Sequence, residues 1–333
     1  GKTALDKKVK DYYEDIDNLV NSLCVHYKKN STDKTFVNTL YIQVYLWILG
    51  KDLGEYGPCK VGIDGDMGGE DSATRKALES VIHGGINDLE KSKGVLKEKV
   101  EPVLEKMAVE WENTVKNSGS ILHKTKYKLV DPKFYVFFKK SWQSNIDPVF
   151  EGRLAAFAKN NKDDKGNNLI IFIGSGYRTY AEQVRSYNDY INNGGAKAAY
   201  PGNSAHNYGC AIDISSLAEY SSVFIKNLYG SYASTADQKK LTEYGLFKPL
   251  TSGNGIKDPK SLEDWHIQPV ETQNYYSREG RAAFLYSYNY NENSSSYYQM
   301  VEDIIKFEKY SVDFRKEFEK KVKSILEKYD LNK

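Results

Sequence analysis

The run Leu169-Ile-Ile-Phe-Ile173 constrains this chain more than any other stretch. Five consecutive apolar residues, with a polar turn over 160–168 before them and Gly174-Ser-Gly176 after, are too few for a buried helix and suit a strand covered on both faces. A chain that must bury such a strand is not a helix bundle alone. Other apolar residues mostly recur at helical spacing, so the expected class is α+β: a small antiparallel sheet with flanking helices, an all-α N-terminal module and C-terminal helices. With 333 residues there is length for about two domains and a sizeable core.

Residues 7–28 place Val9, Tyr12, Tyr13, Ile16, Leu19, Val20 and Leu23 at helical spacing, which predicts a packing helix. A second helix is expected over Phe36–Leu49, stopped by Gly50, and a third over Ala73–Ile82, capped by Asp71 or Ser72. Between them lies the glycine-rich turn 61–69. Residues 88–117 predict a long charged helix with Val95, Val100, Val103, Leu104, Met107 and Trp111 as its seam, and Asp147–Lys159 an amphipathic one. The last helix, after a Ser311 cap, carries Phe314, Phe318, Val322 and Ile325 on one stripe, suited to docking. The chain divides on these readings into an N-terminal helix (1–30), a helical module (31–90), a helical linker (91–140), a domain over 141–272 and a C-terminal helical extension (273–333).

Composition narrows the function classes. Lys+Arg 47 against Asp+Glu 45 leaves a net charge of +2, so no strong field draws the protein to nucleic acid. The uncharged stretch Phe36–Gly50 is too short to span a bilayer and is broken by Asn38, Thr39 and Gln43, so no membrane span is expected. Cys24, Cys59 and Cys210 are odd in number and unrelated in spacing, neither a disulfide framework nor a cysteine zinc site, and are expected reduced and mostly buried. The opening Gly1-Lys2-Thr3-Ala4-Leu5-Asp6 lacks the apolar segment of a secretory signal, which implies delivery by another route or a signal removed before this numbering.

Any multi-histidine site must draw on His26, His83, His123, His206 and His266. Two of these sit in dense contexts: Ser204-Ala-His206-Asn-Tyr-Gly209-Cys-Ala211-Ile-Asp213-Ile, and Glu263-Asp-Trp265-His266-Ile-Gln268-Pro. If Gly209–Ile214 is extended, Ala211 and Asp213 share one face while Cys210, Ile212 and Ile214 share the other. Two imidazoles and one carboxylate supply three ligands to a tetrahedral zinc and leave its fourth position open, the arrangement of catalytic rather than structural sites. Glu263, three residues before His266, is placed to move a proton there. Each fragment alone also suits a hydrogen-bonded structural His–Asp pair. Arg178 follows the buried strand, and Thr179 with Glu182 forms a capping box that starts a helix.

Together these fragments resemble one family. Ser204-x-His206-x-x-Gly209-x-Ala211-x-Asp213 followed by Glu263-x-Trp265-His266 is similar to the signature of the zinc peptidases of the LAS family. These are the D-alanyl-D-alanine carboxypeptidases, the vancomycin-resistance dipeptidases and carboxypeptidases, and the L-alanyl-D-glutamate endolysins. Ser175-Gly176-Tyr177-Arg178-Thr179 and Gln183 match the family's upstream element, in family order, over residues 141–272. The resemblance implies zinc held by His206, Asp213 and His266, Glu263 as general base and then acid, and Arg178 binding or polarising substrate. Ser204, Gln183 and Trp265 join Arg178 as substrate-binding candidates. Ser204 could instead shape the loop behind Tyr200-Pro-Gly-Asn203, Trp265 pack under the metal loop, and Arg178 form a surface salt bridge.

A second resemblance concerns Gln43, Asp64, Gly65, Gly68, Thr74, Ala77 and Leu78, which match the pattern of a three-helix peptidoglycan-binding domain, with Met67 in place of its usual aromatic residue. Asp64-Gly-Asp66 as a calcium loop is the weaker reading, since position 12 from Asp64 is Arg75 rather than Glu. The implied function is hydrolysis of peptidoglycan stem peptides at the bacterial cell wall. Glu-x-Trp-His resembles the D,D-carboxypeptidase branch, whereas Ser-Gly-Tyr-Arg-Thr-Tyr-Ala-Glu-Gln and His-Asn-Tyr-Gly resemble the endolysin branch. A phage lysin, a wall-remodelling enzyme or a delivered toxin fits, with a phage, injection-system or immunity partner. A non-catalytic wall-binding protein that keeps the metal for structure is the alternative from another class.

Overall fold

The computed structural model describes residues 1–29, 32–84, 87–118, 120, 122–163, 166–199, 204–214 and 235–272. The expected C-terminal extension over 273–333 and the Tyr200–Asn203 turn lie outside the described residues. Four helices lead: α1 (Lys2–His26), α2 (Lys34–Ile48), α3 (Ala73–Val81) and α4 (Leu89–Asn117). The expected stripe is the face α1 buries, with Ile16, Leu19 and Leu23 fully covered. Side-chain caps start the next three, from Asp33 to Phe36 N, from Ser72 to Arg75 N and from Asp88 to Glu90 N. Helix α4 packs along α1 and α2, burying Leu96, Val100 and Leu104.

Three of the residues behind the second resemblance, Asp64, Gly65 and Thr74, meet at the side chain of a fourth, Gln43. Gln43 is wholly buried, and its Nε2 donates to Asp64 Oδ1 (2.9 Å), the Asp66 carbonyl (3.0 Å) and Thr74 Oγ1 (3.2 Å). Its Oε1 accepts from the backbone N–H groups of Asp64 and Gly65. A buried amide can use every donor and acceptor it has only if the turn folds back onto it, so Gln43 fixes the 64–66 turn against α2 and α3. The Asp64 and Asp66 carboxylates are used within this turn, accepting from Asp66 N and Gly68 N, and Met67 is buried beneath it.

The sheet has order β1-β2-β3-β5-β4, from β1 (Val136–Phe138), β2 (Ile171–Ser175), β3 (Ile212–Ile214), β4 (Leu246–Phe247) and β5 (His266–Pro269). Only β1 and β2 are parallel; the other pairs are antiparallel. Around it lie α5 (Pro148–Asn160), α6 (Tyr180–Asn193) and α7 (Thr235–Glu243). The fold is therefore α+β, with a mostly antiparallel sheet behind N-terminal helices. The expected central strand is β2; Leu169 and Ile170 lead into it, buried, and the ladder opens at Ile171, opposite Val136. β1 lies N-terminal to residue 141, where the sequence places the start of the sheet-bearing domain, and joins that sheet.

Two buried polar clusters tie the layers together. Asp15 of α1 accepts from Tyr135 Oη (2.6 Å) and pairs with Lys159 of α5 (2.7 Å). Arg153 of α5, fully buried, donates both terminal nitrogens to the two Glu271 oxygens at 2.6 Å each, and reaches the carbonyls of Gly245 and His123. All three cysteines are buried free thiols, as expected. No helix among the described residues is long and apolar enough to cross a membrane.

Candidate metal centre

Two strands and one short turn aim the candidate ligands at one point. Asp213, in the middle of β3, is paired in register with Ser175 on one side and His266 on the other. Its neighbours Ile212 and Ile214 point into the core, as period-two alternation requires, so the carboxylate faces the cleft. His206 comes from the 3-10 turn Ala205–Tyr208, capped by Ser204 Oγ accepting from His206 N. Gly209 ends that turn at φ +69°, and a Cβ there would lie 2.8 Å from the Asn145 carbonyl oxygen. Gly176 is equally confined: a Cβ would lie 2.5 Å from the Gln143 carbonyl oxygen, where Tyr177 N donates.

The ligand atoms of His206, Asp213 and His266 all lie within 4.8 Å of one another. His206 Nε2 is 3.4 Å from Asp213 Oδ2, and His266 Nδ1 is 2.9 Å from Asp213 Oδ1. Each imidazole is oriented from behind. His206 Nδ1–H donates to the Gly176 carbonyl (2.8 Å), and His266 Nε2–H donates to Gln268 Oε1 (2.7 Å). Because both outer partners are carbonyl oxygens that can only accept, the outer nitrogens carry protons, and His206 Nε2 and His266 Nδ1 are the nitrogens that face Asp213. Gln268 is itself held, its Nε2 donating to Thr272 Oγ1 at 2.9 Å.

Electrostatics follow from burial and these pairings. Burial pushes the His206 pKa down, keeping the neutral form that can ligate a metal. At His266 burial acts in the same direction, but the hydrogen bond and charge of Asp213 outweigh it and hold the pKa above its usual value. At Asp213 burial is outweighed in turn by the two imidazoles, His206 first, so it stays ionised. Glu263 Oε2 lies 3.6 Å from His266 Nδ1. Burial raises its pKa, the His266 charge opposes that, and the Asp213 charge adds to it. A carboxyl shifted upward in a cleft suits proton transfer.

Arg178 borders the same point. Its Nη2 is 4.0 Å from Asp213 Oδ2 and donates to Ser175 Oγ (3.1 Å), while Nη1 donates to Gln183 Oε1 (2.8 Å). The capping box at Thr179 and Glu182 is present and launches α6 directly after it. Gln183 is fully buried, and its Nε2 donates to the Ala199 carbonyl. Arg178, Gln183, Ser204, Glu263 and Trp265 all line one cavity of about 490 Å³ with the three ligand candidates. Trp265 is 39% exposed rather than packed beneath the metal loop. Gln268 and the Gly176 carbonyl carry no role in the sequence reading. The first was legible as the residue two positions after His266 on the same strand face; a backbone carbonyl leaves no mark in sequence.

The donor set fits a zinc ion: two imidazole nitrogens, each backed by an outer carbonyl oxygen, and one ionised carboxylate, in a cleft open to solvent. No curated protein and no solved structure matches the chain significantly. Residues 149–271 match a family model, VanY, D-alanyl-D-alanine carboxypeptidase. That match runs from α5 to β5 with His206, Asp213, Glu263 and His266 inside it, so this part of the chain is similar to the VanY peptidases.

Proposed function

We propose that this protein is a zinc-dependent peptidase of peptidoglycan stem peptides, of the D,D-carboxypeptidase type, held on the wall by residues 31–90. One observation carries the reading: two imidazoles and an aspartate whose free donor atoms converge within 4.8 Å, beside a carboxyl, in a substrate-sized cleft. His206, Asp213 and His266 hold the metal. Zinc would supply Lewis acidity there, polarising a carbonyl and lowering the pKa of water towards about 7. Glu263 takes a proton from the attacking water and returns it to the departing nitrogen. Arg178, kept in place by Gln183 and Ser175, stabilises the oxyanion that forms when the amide carbon becomes tetrahedral. Ser204 shapes the His206 turn, and Trp265 offers an aromatic edge to the peptide.

The test is digestion of purified sacculi with the parent and Glu263→Gln, followed by mass spectrometry. The parent is expected to remove one D-alanine from stem peptides. Glu263→Gln should retain zinc and sediment with sacculi while losing about 10²–10⁴-fold in turnover, the usual contribution of a general base. Equal product release by Glu263→Gln contradicts the mechanism. Release of whole stems after L-alanine assigns the L-alanyl-D-glutamate bond instead, and sacculus binding with no product assigns a non-catalytic wall-binding role.

A further inference from the structure

Away from the metal candidates, the cleft is walled by two facing segments. Residues 196–199 follow the left-handed Gly194 that caps α6, and opposite them stands the 3-10 turn Pro259–Ser261, capped by Asp258. Lys197 joins the two. Its Nζ donates to Ser261 Oγ at 2.7 Å and to Asp258 Oδ2 at 3.2 Å. The end of the same segment is fixed by Gln183, which takes the Ala199 carbonyl. The Lys197 ammonium is thus oriented rather than loose, although its side chain is 45% exposed.

Lys197 and Arg178 are the two cations that line the cleft among the described residues. Arg178 is committed at the metal end by Ser175, Gln183 and the nearby Asp213. The lining acids, Asp213 and Glu263, also lie at that end. The opposite wall therefore presents the Lys197–Asp258 ion pair, of which the lysine and not the aspartate lines the cavity. An ammonium carries three donors, and its described partners, Asp258 and Ser261, account for two. A cation held in a cavity wall, away from the cavity's own acids, is suited to receive an anionic group of whatever fills the cavity.

We propose that Lys197 is a specificity residue that binds a carboxylate of the peptide substrate, with Ser261 and Asp258 holding the ammonium in place. The proposal rests on the peptidase reading and refines it, because it makes the enzyme select peptides by a negative charge near the cut bond. A stem peptide offers two such groups, its free C-terminus and the α-carboxylate of its γ-linked D-glutamate.

Steady-state kinetics on two substrate pairs separate them. One pair is N-acetyl-L-lysyl-D-alanyl-D-alanine as the free acid and as its C-terminal amide. The other is the stem pentapeptide with the D-glutamate α-carboxylate free or amidated. The parent should prefer the acid in one pair. Lys197→Met should raise KM for that acid about ten- to hundredfold, leave kcat nearly unchanged and abolish the preference, while Lys197→Arg should retain it. A response in the first pair assigns the C-terminus, and in the second the glutamate. The proposal is overturned if Lys197→Met keeps the parent's acid-to-amide ratios, or slows all four substrates equally, as loss of a merely structural tether would. A zinc-loaded parent that cleaves none of the four overturns the peptidase reading and this proposal with it.

Discussion

At the scale of single residues, the candidate centre depends on what stands behind the ligands as much as on the ligands. Gln268 gives His266 one acceptable orientation, because its carbonyl takes the Nε2 proton and leaves Nδ1 to face Asp213. Gln268→Leu removes that acceptor and is expected to weaken zinc binding about 10–100-fold with the fold intact, measured by competition with a chromophoric chelator. Unchanged affinity would remove Gln268 from the account. The ligand candidates themselves were legible because chemistry demands particular side chains: His206, Asp213 and His266, with Glu263 beside the last, lie in two short runs with few histidines to compete. Lys197, Ser261 and the Gly176 carbonyl were not, since nothing in their local sequence marks them and only the folded chain brings them to the cleft.

Among elements, the start of α6 has the most direct bearing on the cleft. The Thr179 hydroxyl accepts from Glu182 N, and the Glu182 carboxylate accepts from Thr179 N, so the helix cap directly follows Arg178 and fixes where its guanidinium emerges. Thr179→Ala is expected to cost about 0.5–2 kcal/mol in urea unfolding and to leave zinc content unchanged. A variant as stable as the parent would show that Arg178 is placed by Ser175 and Gln183 alone. Long elements were legible for a physical reason: α1, α2, α4 and α5 repeat their apolar spacing over several turns, and at the shorter α3 one of the two cap candidates, Ser72, marks the start. β1 and β4 were not, because strands of three and two residues are set by the partners they pair with rather than by their own pattern.

Across the whole molecule, α1 and the segment before β1 are joined to the sheet by buried polar groups, so helical layer and cleft-bearing layer are expected to unfold together. The Arg153–Glu271 pair is a further buried tie, holding α5 to the chain just after β5 and to the carbonyls of Gly245 and His123. Burial raises the Glu271 pKa, but the Arg153 hydrogen bonds and charge outweigh it and bring it below its usual value. A depressed carboxylate contributes stability that is present above its unfolded pKa of about 4.3 and is lost as pH falls through the folded value. Glu271→Gln leaves Arg153 charged and unpaired, and should cost about 3–5 kcal/mol at neutral pH, a difference that shrinks on acidification below about pH 4. Urea midpoints of parent and variant across pH 3–7 measure this, and a constant difference would contradict it. The tie was not legible in the sequence, since its partners are separated by 118 positions.

The central claim is that one zinc ion is held by His206, Asp213 and His266. Elemental analysis of the purified full chain, beside Asp213→Ala and His206→Ala folded to the same circular dichroism spectrum, tests it most directly. The account predicts one zinc per parent chain and almost none in either variant. Full zinc in the variants, or a metal-free parent that still releases D-alanine from sacculi, would contradict it.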